Sequence, residues 1–212
     1  MQRRDFVIGA PVLAAAGTFV NGATAVQHRS LSVFNHVSLD GYFTDAAGDM
    51  SWARNQEPEW LKFKSESAGG EAVLVFGRKT YEMMARFWPT PAAMQAMPEV
   101  AEGMNRMRKV VFSRTLTQVT WQNTELVKGD LATETARLKS EPGPNMVILG
   151  SGEIVAQLTQ AALIDDYQIV SVPVVLGAGR TLFQGVTGKP WLKLTRTRSF
   201  PNGFVASWYS RQ

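Results

Sequence analysis

Four short stretches hold the residues best suited to chemistry: Gly77-Arg78-Lys79-Thr80, Ser113-Arg114, Gly150-Ser151-Gly152 and Gly177-Ala178-Gly179. A glycine turn offers backbone N–H groups with no side chain in the way, and a helix starting behind it adds its N-terminal dipole. Together these hold an anion. The two basic stretches add point charge and, through arginine, a planar fork that matches phosphate. A phosphorylated ligand such as a nucleotide is the chemistry such a set serves. Each motif also has a plainer explanation. Gly150-x-Gly152 lacks the third glycine of the dinucleotide fingerprint, and Arg78-Lys79 also fits a solvated pair whose long side chains bend away.

The surrounding pattern says what must position these turns. Residues 146–149 are a short apolar run, and apolar side chains then recur at Ile154, Val155, Leu158, Ala162 and Leu163. That spacing predicts strand, glycine turn, helix. A second apolar run, 167–176, ends at Gly177; runs at 72–76 and 109–112 end at Gly77 and Ser113. Strands that deliver such turns to one edge describe an open α/β sheet, whose ligands sit beyond the carboxyl ends of the strands.

Residues 30–37 read as the first strand, followed by the turn Ser38-Leu39-Asp40-Gly41, a polar loop over 44–49 and Trp52. Asp40 is either a turn former or a reactive carboxylate, since Asp-Gly is a common turn dipeptide. A helix is predicted over 57–67, with Glu57 and Glu59 in a first turn that favours acids in any case. Further helices are predicted over 81–87, 98–106 and 130–140, the last capped by Asp130. Between them, Met83, Met84, Met94, Met97, Met104 and Met107 supply adaptable side chains for a substrate cover, a subunit contact or ordinary core. Asn202-Gly203 between apolar runs predicts a closing antiparallel hairpin.

Composition narrows the chemistry further. The chain has 212 residues, no cysteine and only His28 and His36, which removes disulfides and thiolate nucleophiles and leaves little for a metal site, so none is expected. Hard chemistry would then fall to a bound cofactor. Basic residues are scattered rather than interleaved with aromatics, so no nucleic-acid partner is expected.

The first residues carry Arg3-Arg4, an apolar alanine-rich run to Val20 and the small-x-small triplet Ala23-Thr24-Ala25. This order describes a twin-arginine export signal over 1–25, the alternative being a frayed basic helix. Cleavage after Ala25 leaves 187 residues, enough for one domain over 26–212. Loss of Arg3, Arg4 and Asp5 takes the 22 basic and 18 acidic residues to 20 and 17, a net charge of +3. A periplasmic or secreted protein without a stable membrane anchor is expected, with a cytoplasmic location as the alternative.

Five segments in this order resemble one family: 38–42 (Ser-Leu-Asp-Gly-Tyr), 75–82 (Val-Phe-Gly-Arg-Lys-Thr-Tyr-Glu), 110–116 (Val-Val-Phe-Ser-Arg-Thr-Leu), 148–152 (Ile-Leu-Gly-Ser-Gly) and 172–179 (Val-Pro-Val-Val-Leu-Gly-Ala-Gly). They are similar to the dihydrofolate reductase-like proteins, in particular to the C-terminal reductase domain of the bifunctional riboflavin-biosynthesis deaminase-reductase. The resemblance implies a three-layer α/β/α fold with a mixed, mainly parallel sheet, NADPH as hydride donor and a homodimer. It places Gly77, Arg78, Lys79, Thr80, Ser113 and Arg114 at the adenosine-side phosphates, and Gly150, Ser151, Gly152, Glu153 and Ile154 along the pyrophosphate. Gly177 and Gly179 join the cofactor set as the second glycine turn. Asp40 and Glu57 are the candidate catalytic acids, with Asn35 and Trp52 on the substrate side. The implied activity is reduction of a small C=N or C=O bond; a nucleotide-binding protein of the same fold without turnover is the rival.

Overall fold

The computed structural model describes residues 28–212; the expected signal at 1–25 lies outside the described residues. In chain order the strands are β1 (Leu31–Ser38), β2 (Tyr42–Asp45), β3 (Val73–Gly77), β4 (Arg108–Phe112), β5 (Thr124–Val127), β6 (Met146–Leu149), β7 (Asp166–Val172), β8 (Gly179–Thr181), β9 (Leu192–Ser199) and β10 (Val205–Arg211). The helices are α1 (Pro58–Ala68), α2 (Arg78–Phe87), α3 (Pro91–Ala96), α4 (Pro98–Arg106), α5 (Leu131–Ser140) and α6 (Gly152–Gln160).

Eight strands form one sheet in the order β5-β4-β3-β6-β1-β7-β10-β9. The first six run parallel, so their carboxyl ends share one edge, and β10 turns the sheet antiparallel against β7 and β9. This is a three-layer α/β/α fold with a mainly parallel sheet and a closing antiparallel hairpin. The hairpin turns at Gly203, whose φ of 82° is left-handed backbone.

Alternation along the strands divides the core between the two faces. Leu31, Val33, Val73, Val75, Val110, Ile148 and Tyr167 pack with Val155 and Leu158 of α6 and Leu138 of α5. On the other face, Val170 and Val172 meet Trp60 and Phe63 of α1, whereas Leu74, Phe76 and Val111 pack with Tyr81, Met104 and Trp121. That face therefore carries two separate clusters, with a cleft running between them.

Two predicted boundaries moved, for different reasons. The first turn of α2 starts at Arg78, so Arg78, Lys79 and Thr80 belong to the helix and not to a loop before it. β7 ends at Val172 and not at residue 176, because Pro173 has no N–H to offer a neighbouring strand. The second glycine turn consequently leaves the main sheet. Gly179 opens β8, which pairs with β2 in a separate two-stranded sheet. Gly179 is obligatory there: a Cβ would lie 2.0 Å from the Thr44 carbonyl oxygen.

Candidate active site

Three parallel strands bring their terminal residues to one end of the cleft. Gly77 with Arg78, Lys79 and Thr80 comes from β3 and α2, Ser113 and Arg114 follow β4, and Gly150 to Ile154 follow β6; all line the same cleft of about 1320 Å³. Side-chain bonds hold these turns in register. The Ser151 N–H donates to Thr80 Oγ1 at 3.1 Å, the Gly77 N–H donates to Ser151 Oγ at 3.0 Å, and Asn35 Nδ2 donates to the Gly150 carbonyl at 2.8 Å. Ser151 sits at φ 53°, left-handed backbone that costs a non-glycine residue energy. Its two turn-binding contacts offset that cost.

The helix starts at this end leave donors free. Neither Gly77 before α2 nor Ser151 before α6 caps its helix with a side chain, so first-turn N–H groups of both remain for a ligand. Gly152 has a packing reason of its own, since a Cβ would meet the Phe43 ring at 2.5 Å. Lys79 and Arg114 are exposed, with no carboxylate within 4.0 Å among the described residues. Arg78 differs from them: it bonds Glu82, one turn on, at 3.2 Å. Of the three cations, Lys79 and Arg114 are therefore the ones left without an acidic partner among the described residues. Glu153 is exposed at the rim and paired with Arg180 of β8 at 2.7 Å.

The other end of the cleft is apolar. Phe34 and His36 of β1, Leu74 of β3, Val147 and Leu149 of β6 and Gln168 of β7 form its floor. Met83, Met84, Met97, Met104 and Met107 line its wall and Met50 its mouth; of these, Met84, Met104 and Met107 also pack in the core, whereas Met94 is exposed and off the cleft wall. Lys64 of α1 reaches the same space. His36 packs edge-on against Phe34 and Trp60 at 5.3 and 5.5 Å. Burial first and the Lys64 ammonium second push its pKa down to about 4, so the ring is neutral at pH 7.

Several residues singled out from sequence are not brought to the cleft. Asp40 accepts from Ser38 Oγ at 2.6 Å, from the Leu176 N–H at 3.2 Å and from the Gly177 N–H at 2.8 Å. These bonds, the serine hydroxyl foremost, hold its carboxyl below the usual aspartate range and make it a clasp on the loop after β7. Gly177 is thus engaged by Asp40, and Gly179 by β2. Glu57 is the N-cap of α1, its two oxygens accepting from the N–H groups of Glu59 and Trp60 at 2.9 and 2.7 Å. Trp52 packs beside the Trp60 cluster and donates from Nε1 to the Asp49 carbonyl at 3.1 Å. Asp40, Glu57 and Trp52 are absent from the cleft wall; Asn35 is part of it.

Sequence reasoning passed over Lys64, Gln168 and Phe43. Lys64 had a readable signal, because it follows Trp60 by one turn and so lies on the apolar stripe of α1. Among the described residues, no group of three or more His, Asp or Glu side chains is placed to hold a metal ion.

With this geometry in view, the comparisons decide the family. The model of the RibD C-terminal domain matches residues 29–206. The chain belongs to the RibD C-terminal domain family. This is a reductase family, and family and fold together support an oxidoreductase. Two Bacillus subtilis (strain 168) proteins are similar to the chain along most of their length. YyaP, an uncharacterized protein, is 25% identical over 85% of this chain and 94% of its own; YwjB, also uncharacterized, is 28% identical over 82% and 94%.

Among solved structures, a Shewanella sp. PV-4 protein provisionally assigned to riboflavin biosynthesis is 25% identical with a TM-score of 0.66, covering 86% of this chain and 99% of that one. A pyrimidine reductase-like protein from Corynebacterium diphtheriae shares the fold at 13% identity and a TM-score of 0.60, over 89% and 94% of the two chains. Dihydrofolate reductase from Enterococcus faecalis, complexed with NADP(H) and RAB-propyl, shares it at 16% identity and a TM-score of 0.59, over 86% and 96%.

Proposed function

We propose that this family member is an NADPH-dependent reductase that reduces a C=N or C=O bond in a small planar substrate of pyrimidine, pterin or flavin type. The observation that carries this reading is a single cleft with two unlike ends. At one end are two uncapped helix starts with Lys79 and Arg114; at the other is an apolar floor under a methionine wall. The donor set fits NADPH: first-turn N–H groups of α2 and α6 suit its phosphates, and the two exposed cations suit the additional 2′-phosphate. When bound, the dihydronicotinamide supplies hydride.

The chain's own part is orientation and exclusion of water. Phe34, Leu149 and the methionines keep the reacting end dry and thereby strengthen every polar contact made inside it. Asn35 fixes the turn at Gly150 and so the separation between the cleft's two ends. Glu153 is the sole carboxylate residue on the cleft wall among the described residues, and it lies at the phosphate end. No carboxylate therefore stands at the apolar end to donate the proton that completes reduction.

NADPH titration followed by its fluorescence, then oxidation at 340 nm with a panel of candidate substrates, tests this reading. Binding and turnover support it. Binding without turnover on any substrate favours a nucleotide-binding protein, and no NADPH binding sinks both.

We also propose export by the twin-arginine route and a homodimer. Arg3-Arg4, the apolar run and Ala23-Thr24-Ala25 support the first. The unpaired edge strand β9, with Leu194 52% and neighbouring Trp191 79% exposed, supports the second. Unchanged processing of the Arg3→Lys, Arg4→Lys double variant, or a monomer in sedimentation equilibrium, would refute the respective proposal.

A further inference from the structure

Arg180 reaches the phosphate end of the cleft from outside the main sheet. It stands on β8, where Thr44 of β2 pairs with it and the close approach at Gly179 fixes the backbone before it. From that two-stranded ribbon its guanidinium crosses to the start of α6 and meets Glu153 at 2.7 Å. Both side chains line the cleft, as do Ala46, Ala47 and Gly48 in the turn that follows β2.

Glu153 is awkwardly placed for a ligand that carries phosphates. It lies in the first turn of α6, where the helix dipole favours an anion, and its carboxylate therefore competes for the ground a phosphate would take. Like charges at such range also repel. The first turn of α2 offers the contrast: it holds no acid and begins with Arg78 and Lys79. One helix start at this end thus brings its own cations, and the other brings an acid that an arginine from the ribbon balances.

The ion pair is suited to exchange. Side-chain exposure is 45% for Arg180 and 69% for Glu153, and an ion pair so open to water contributes little to the fold. Among the described residues the guanidinium is engaged through Nη2 alone, which donates to Glu153 Oε1. The rest of its planar fork remains for a partner with several oxygens, and a diphosphate matches that fork better than a single carboxylate oxygen does.

We infer that Arg180 binds the pyrophosphate of the cofactor and that Glu153 is the anion it releases on doing so. This rests on the NADPH reading above and adds to it an exchange of partners, carboxylate for diphosphate, at the start of α6. Because the pyrophosphate is common to NADPH and NADH, the exchange governs affinity for both and the choice between them for neither.

The test measures dissociation constants of NADPH, NADH and ADP-ribose for the native chain, Arg180→Ala and Glu153→Gln. The three probes share adenosine and pyrophosphate; NADPH alone has the 2′-phosphate, and ADP-ribose lacks the nicotinamide. Arg180→Ala is expected to weaken all three by a common factor of roughly tenfold or more. Glu153→Gln keeps the shape of the side chain and removes the competing charge, so it is expected to tighten all three by roughly two- to fivefold. Unchanged affinity in Arg180→Ala, a loss confined to NADPH or to the two dinucleotides, or the absence of any gain in Glu153→Gln overturns the inference.

The same measurements keep the two readings apart. A native chain that binds the probes with no response to either variant defeats the inference alone. Uniform shifts in both variants without turnover on any substrate defeat only the reductase, and a native chain that binds no NADPH defeats the cofactor reading and the inference with it.

Discussion

The Ser151 N–H donates to Thr80 Oγ1 across 3.1 Å, joining the turn after β6 to the first turn of α2. Both are phosphate-end elements, so one hydroxyl sets the distance between them. Thr80→Val keeps the shape but leaves a buried N–H unpaired, at a cost of about 1–3 kcal/mol. We expect a lower urea midpoint together with weaker NADPH binding, both restored in Thr80→Ser. A Thr80→Val protein with native stability and affinity would show that the bond positions nothing.

Cofactor choice should divide the three cations unequally. Arg114→Ala and Lys79→Ala are expected to weaken NADPH by roughly tenfold or more while leaving NADH nearly unchanged. Arg78→Ala should have a smaller selective effect, because Glu82 already shares its guanidinium. Dissociation constants for both cofactors decide the point. An equal loss for NADPH and NADH in Arg114→Ala would remove that residue from 2′-phosphate recognition.

Asp40 should behave as a clasp rather than as an acid. Asp40→Ala is expected to lower the melting temperature and expose the chain around Leu176 to protease, with turnover per folded molecule retained. Its folded pKa is depressed, so its contribution is present above the ordinary aspartate pKa and is lost as pH falls through the lowered value. Loss of turnover in a fully folded Asp40→Ala protein would return the residue to catalysis.

His36 gives the fold an acid sensitivity of its own. Its folded pKa of about 4 lies below the unfolded value of 6.5, so the unfolded chain binds the proton first and stability declines as pH falls between them. The full effect is at most about 3 kcal/mol, reached near pH 4. Denaturation midpoints at pH 7 and pH 5 should differ more for the native protein than for His36→Phe. Identical pH dependence in the two would place the sensitivity elsewhere.

How legible this site was depends on sequence distance. Turns at Gly77, Ser113 and Gly150 could be read because each follows its own apolar run, a local pattern. The role of Asp40 could not be read, since the N–H groups it holds belong to Leu176 and Gly177, far along the chain. Glu57 was read as an acid in a first turn, and only the placed side chain shows both oxygens committed to capping. The end of β7 was misplaced because residues 173–176 are as apolar as the strand, and hydropathy says nothing about the N–H that Pro173 lacks. Lys64 was passed over because a lysine in an amphipathic helix is ordinarily solvated; its inward direction follows from where α1 lies across the sheet.

The position of β1 has a consequence for how the protein is made. Its neighbours are β6 and β7, with Leu31 beside Met146 and Ser32 beside Asp166. The first strand must therefore wait, unpaired, until well over a hundred further residues have left the ribosome. Contacts of such separation fold slowly, and a waiting apolar strand is open to wrong pairing. Asn35, Phe34 and His36 all ride on that strand, so the bond that steadies the Gly150 carbonyl and the β1 part of the apolar floor form together, when the strand docks.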